Sequence, residues 1–285
     1  MRLSITHRTS YRFDQPKRSL IQSLRLRPTQ FDGQHVTEWD VDIEGHPSER
    51  GAAFRDGAGD WIETVTLRNV EAVTVAVKGV VETRDLSGVV RGLRERVPPM
   101  AYLRPSPMTR FDNNLRALAA AAVEGVETPL DRAHALSRAV AGAIRYTPGA
   151  TVSRTTAAEA LEQGQGVCQD QTHALISVAR AVDVPGRYVV GYLQSGADGR
   201  AHQASHAWAE LWVEGLGWVG FDTTNACCPD DRYVRIGSGL DSIGAAPIRG
   251  MATGVGEEEL DVTVKVDRGT QSQSQSRGGQ SQQQN

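Results

Sequence analysis

The sequence predicts an α+β protein, and three observations carry that reading. Residues 1 to about 88 alternate polar and apolar side chains, the period of half-buried strands. Residues 114–182 place apolar side chains at helical spacing. Strand patterning then returns from Tyr188 onward. A chain of 285 residues has room for one large domain or two ordinary ones, and 39% hydrophobic residues is enough to build a core.

In the first region Leu3, Ile5, Val41, Ile43, Val73, Val75 and Val77 sit in alternating contexts, and breaks such as HPSERGAAFRDGAGDW (46–61) separate the runs. Several short strands with turn signals between them predict a β-sandwich-like domain over 1–88. It holds no catalytic grouping, so its expected role is support and shaping of a substrate approach. The proline-rich segment VPPMAYLRPSPM (97–108) cannot be one continuous helix and reads as part of a connector. The unit that follows, with its connector, is assigned to 89–267.

Asn114–Val123 is alanine-rich and helical in pattern. Leu130–Ile144 starts after Pro129, with Asp131 in its first turn, where negative charge suits the helix dipole. Thr156 and Glu159 have capping-box spacing for a short helix ending near Gly164. From Cys168 the pattern Ala174, Leu175, Val178, Ala179, Val182 marks one buried helix face. Strands are expected at Tyr188–Leu193, Ser205–Val213, Trp218–Asp222, Arg232–Ile236 and Leu260–Val266. The Gln/Ser-rich tail, 268–285, has no apolar residue to bury and should be disordered.

Bulk properties exclude some functions. The net charge of −3, with no basic patch carrying interleaved aromatics, argues against nucleic acid as a partner. Three cysteines are too few for a disulfide framework at this length and suit a reducing compartment. No segment reaches membrane-spanning length, and the opening MRLSITHRTSYRF lacks a signal-peptide apolar run. The expectation is a cytoplasmic protein with no membrane partner. Oligomeric state is not legible.

Chemistry concentrates in three stretches: GQGVCQDQTHALISVARAV, ASHAWAEL and GWVGFDTTN. Gly164 and Gly166 bracket the approach to Cys168, and a helix begins at or just after it. The first turn of a helix has free N–H groups and partial positive charge. Both favour a sulfur anion, and the same N–H groups can hold a developing oxyanion. SHAWAELWV and WVGFD flank a turn at EGLG and read as a hairpin. Strand alternation puts His206, Trp208, Glu210 and Trp212 on one face, and Trp218, Gly220 and Asp222 on one face of the partner. If Trp212 pairs with Trp218, Asp222 opposes Trp208 and lies diagonal to His206, within reach of its ring. A thiol, a base and a carboxylate that orients the base are what cysteine acyl transfer requires. Taken singly, each of the three also has a structural explanation: a buried cysteine, a strand histidine, a turn aspartate.

These stretches resemble the bacterial transglutaminase-like superfamily, a group of transglutaminase-like cysteine proteases with an N-terminal β domain. The resemblance is carried by YTPG (146–149), GVCQD (166–170), RYVVGYL (187–193), SHAWAE (205–210), GWVGFDTTN (217–225) and APIRG (246–250). It implies a papain-like transglutaminase core, with the helix bearing Cys168 packed on an antiparallel sheet. It implies Cys168 as nucleophile, His206 as general base and acid, and Asp222 as orienting residue. It implies action on amide bonds of a protein or peptide substrate through a thioester, with no cofactor and no metal. Two departures are Thr223, where the family usually has proline, and GLDS (239–242), where it often has Gly-Arg-Asp-Tyr. The second bears on substrate choice. The competing reading is a non-catalytic peptide-binding module that keeps the fold.

Weaker signals are read as structural. Asp170 caps the helix, and His173, five residues beyond Cys168, points away from it. His202 and His206 have a metal-like spacing, but on a strand or loop. Cys227 and Cys228 read as loop cysteines. Trp208, Trp212 and Trp218 either line the cleft or pack the hairpin.

Overall fold

The computed structural model describes residues 1–194 and 205–269. From residue 270 the tail expected to be disordered lies outside the described residues, as does His202.

The first region is built on two long strands, β1 (Arg2–Leu24) and β4 (Trp61–Thr83), which pair antiparallel along most of their length. Residues 3, 5, 7, 9, 11 and 13 of β1 are buried while their neighbours are not, as period-two patterning requires. The register shifts between Arg12 and Lys17, and such an irregularity bends a strand. β2 (Gln34–Glu44) and β3 (Glu49–Arg55) pair with successive parts of β4. Side chains from both halves of the long strands, including Tyr11, Phe13, Leu20, Leu24, Val65 and Val75, share one core. The sheet therefore closes over itself in a sandwich-like way.

The second region packs helices on a four-stranded antiparallel sheet. The helices are α1 (Asn113–Val123), α2 (Pro129–Ala143), α3 (Ala157–Gln163) and α4 (Cys168–Ala181). A two-residue strand, β5 (Arg145–Tyr146), pairs parallel with β6 (Gln165–Gly166) just before α4. The sheet contains β7 (Gly186–Leu193), β8 (Ser205–Val213), β9 (Gly217–Phe221) and β10 (Tyr233–Gly239), in the order β10-β7-β8-β9. α4 is the central helix: 11 of its 14 residues are buried. Leu175, Ile176, Val178 and Ala179 meet Tyr188, Val190, Ala207, Ala209 and Leu211 of the sheet in one core. The capping box at Thr156 and Glu159 is present, and Gly164 ends α3 in the left-handed conformation that glycine accepts without strain.

Sequence order groups the last strands with the second unit, but the chain returns to the first. β11 (Ile248–Thr253) and β12 (Glu258–Arg268) both pair with β1. The N-terminal sheet thus has six strands, two of them supplied by the far end of the chain. The period-two pattern of Leu260–Val266 identifies a strand and says nothing about its partner.

Between the units lies a closed network of buried charge. Glu210 on β8 accepts from Arg187 Nε at 2.6 Å and Arg235 Nε at 2.9 Å. Arg235 reaches on to Asp60 at 3.0 Å, and Arg187 to Glu95 at 2.5 Å. Asp60 belongs to the N-terminal region and Glu95 to the connector. The five side chains fix how β8 sits beneath the first sheet.

Candidate active site

Cys168 is the first residue of α4, and its side chain is partly exposed. Asp170 secures the helix start: its Oδ2 accepts from the Val167 N–H at 2.8 Å. The Cys168 N–H donates to no group among the described residues, as befits the first residue of a helix.

His206 and Asp222 reach each other through the hairpin. Trp212 pairs with Trp218, and the ladder runs on to Ala209 opposite Phe221. Asp222 extends it by one step and lies diagonal to His206, as the pairing arithmetic of the sequence requires. His206 Nε2 donates to Asp222 Oδ2 at 2.7 Å. Cys168 lines the same cleft as the ring and favours its charged form. Sulfur, ring and carboxylate are therefore brought together.

The electrostatics of the ring follow from these neighbours. Burial resists charging His206, but the hydrogen bond it donates to Asp222 and then the influence of Cys168 outweigh it, raising the imidazole from 6.5 to about 10. Burial likewise resists charge on Asp222, yet bonds from His206, Asn225 and Tyr233 hold its carboxyl below the usual range. Asp222 is fully buried. Its Oδ2 also accepts from Asn225 Nδ2 at 2.6 Å and Tyr233 Oη at 2.7 Å, and its Oδ1 from the N–H groups of Thr224 and Asn225. A carboxylate so surrounded cannot rotate freely and holds the imidazole in one orientation.

Sequence reasoning missed Asn225 and Tyr233. Asn225 had a faint signal: it stands three residues after Asp222 in a turn-forming TTN run, where an aspartate bonds backbone ahead of it. Tyr233 had none, because it comes from β10. Its phenol is pushed up by burial and then by Asp222, so it stays a donor. It also contacts Cys227 Sγ at 3.4 Å.

Cys168 and His206 open into a cleft of about 810 Å³. Tyr146 and Tyr188 line it too, and both phenols are pushed up, by burial first and then by Cys168 beside them. Tyr146 is delivered by the β5–β6 pair, which sets it opposite Gly166, two residues before the thiol. The tryptophans do not line the cleft. Trp208 packs edge-on against Tyr233 at 5.5 Å, and Trp212 packs edge-on against Trp218 at 5.4 Å. Gly191, paired with His206, leaves room for the Trp208 ring, which a Cβ there would meet. His173 is buried and accepts from the Ser242 N–H at 3.1 Å, anchoring one wall of the cleft. Burial lowers its imidazole to about 4, so it remains neutral. Among the described residues no group of histidine, cysteine or carboxylate side chains is arranged to hold a metal.

A cysteine-headed helix packed on an antiparallel sheet, with histidine and aspartate joined across that sheet, defines the transglutaminase-like class of α+β folds. Residues 116–223 match the model of the transglutaminase-like superfamily, and residues 3–82 match the bacterial transglutaminase-like N-terminal region. An uncharacterized protein of Mycobacterium leprae is 31% identical, covering 94% of this chain and 99% of that protein. The chain belongs to the bacterial transglutaminase-like family. A protein-glutamine gamma-glutamyltransferase of Pseudomonas aeruginosa is 26% identical over 79% of this chain and 38% of its own length. The fold is shared with a solved structure described as a "Putative Cysteine Protease" from Cytophaga hutchinsonii. That match has a TM-score of 0.73 at 20% identity and covers 94% of this chain and 90% of the other.

Proposed function

We propose that the protein is a cysteine-dependent enzyme acting on amide bonds, with Cys168 as nucleophile, His206 as general acid and base, and Asp222 as orienting residue. The observation that carries the proposal is the 2.7 Å bond from His206 Nε2 to a buried Asp222, with Cys168 and the His206 ring lining one cleft. The Cys168 thiolate attacks the carbonyl carbon of an amide. The free Cys168 N–H stabilises the oxyanion, and Tyr146 and Tyr188 offer further hydroxyl donors on the cleft wall. The carbon–nitrogen bond breaks as imidazolium gives its proton to the departing amine. A thioester remains on the sulfur. Water or a second amine then attacks it, His206 takes that nucleophile's proton, and the sulfur leaves as thiolate. Water gives hydrolysis; an amine gives a new amide.

The Pseudomonas relative's name speaks for a glutamine side chain as acyl donor. The Cytophaga neighbour's description speaks for a peptide bond. Both are protein substrates. The three cysteines are free thiols, in keeping with a reducing compartment such as the cytoplasm. No helix among the described residues is long and apolar enough to cross a membrane.

The test is trapping. Intact protein and Cys168→Ala are incubated with cell lysate and a tagged primary amine. Thiol-dependent labelling of lysate proteins is the transfer outcome, and thiol-dependent release of peptides without labelling is the hydrolysis outcome. Identical lysates from the two proteins would remove the proposal and favour the peptide-binding module.

A further inference from the structure

The chain is net acidic, with 34 carboxylate and 31 basic side chains, yet its cleft has the opposite sign. Among the described residues no aspartate or glutamate lines it, while Arg154 and Arg249 do. Both arginines are exposed, and neither has a hydrogen-bond or ion-pair partner among the described residues. The buried arginines Arg187 and Arg235, by contrast, are paired with Glu210.

The two come from different parts of the fold. Arg154 sits on the loop leading to α3, which Gln169 beside the nucleophile ties down through the Ser153 carbonyl at 3.1 Å. Arg249 is on β11, where it pairs with Ser23 of β1, so the N-terminal sheet presents it. Each guanidinium is a fixed cation with a fork of donors suited to a carboxylate. A lysine-rich segment entering this cleft would meet uncompensated like charge, whereas an acidic one would not.

We propose that the cleft selects acyl-donor peptides carrying acidic residues next to the reacting amide, with Arg154 and Arg249 as the specificity-determining side chains. This rests on the reading of the same cleft as an amide-bond active site. It gives the N-terminal sheet a direct part in substrate choice, through a strand that the end of the chain adds to it.

The test uses fluorescein-labelled Gly-Asp-Gln-Asp-Gly and Gly-Lys-Gln-Lys-Gly with the full chain carrying Cys168→Ala, read by fluorescence anisotropy. In parallel, intact protein is assayed for ammonia release from the same peptides and for their cleavage. The acidic peptide should bind about tenfold more tightly than the basic one at low salt. Arg154→Gln and Arg249→Gln should each remove about two- to fivefold, the range of an exposed ion pair. The double variant should erase the preference, and so should high salt. Arg18→Gln, on the exposed side of β1, should change nothing, and circular dichroism should be the same for all variants. Equal binding of the two peptides, binding of neither, or an acidic preference that survives in the double variant would overturn the inference. An acidic preference in binding with neither ammonia nor cleaved peptide released would leave the selection standing and count against the enzyme reading alone.

Discussion

His206 and Glu210 stand four residues apart on one face of β8, and each anchors a cluster of buried charge. Around Glu210 every charge is matched and sealed: two arginines meet it, and each arginine meets a second carboxylate. Around His206 the carboxylate is sealed as tightly, but the ring lines an open cleft together with a half-exposed thiol. The chemistry of the two clusters is similar; access is not. The comparison shows how one strand serves both as a structural brace at its centre and as a site at its end. Buried charge alone marks neither role.

That contrast makes predictions, the largest first. Asp222→Asn should leave the fold in place and lower turnover by about 10³–10⁴-fold, because an amide there no longer stabilises imidazolium and can favour the wrong tautomer. A steady-state assay of amide cleavage or transfer reads this. Glu210→Ala should do the reverse. It removes the carboxylate that Arg187 and Arg235 share, leaving each with one carboxylate partner, and should cost about 3 kcal/mol of stability. Chemical denaturation measures that loss, and any protein that stays folded should keep most of its activity per molecule.

The third prediction concerns pH. The His206 ring is raised from 6.5 to about 10 in the folded protein, so its charged form is favoured by folding. The stability it contributes is fully present below pH 6.5 and is lost as pH rises toward 10. Denaturation midpoints of the intact protein and His206→Gln should therefore converge across that window. A gap that widens with rising pH would contradict the assignment. The smallest effect is expected from Tyr233→Phe, which removes one of several donors to Asp222. It should cost about 1 kcal/mol and shift the alkaline limb of the activity profile to lower pH, since the carboxylate is then held less firmly. A structural role alone would move stability and leave the profile where it is.

How much of this was legible depended on range along the chain. The hairpin was legible because Trp212 and Trp218 flank a short turn, so one assumed pair fixes every other and places Asp222 diagonal to His206. The start of α4 was legible because Gly166 precedes a helical spacing. The cleft was not. Its walls come from the 146–154 loop and the 242–249 segment, whose last residue lies on a strand of the N-terminal sheet, and strand periodicity says which face a residue takes but not what covers that face. The tryptophans show the same limit: Trp208 shares the His206 face, yet its ring packs against Tyr233 instead of lining the cleft. Arg249 lay in a motif that marks the family, but nothing in the sequence says that β11 reaches back more than 200 residues to β1.

Alkylation tests the central claim most directly. The protein is treated with iodoacetamide across a range from about pH 5.5 to 9, and modification at each cysteine is followed by mass spectrometry, with His206→Ala alongside. Burial pushes Cys227 up and Cys228 up to about 11, so those two should react slowly and only toward high pH. Cys168, at the helix start beside the His206 ring in the cleft, should react fastest and should lose that advantage in His206→Ala. Three cysteines reacting at similar slow rates, with or without His206, would contradict the account.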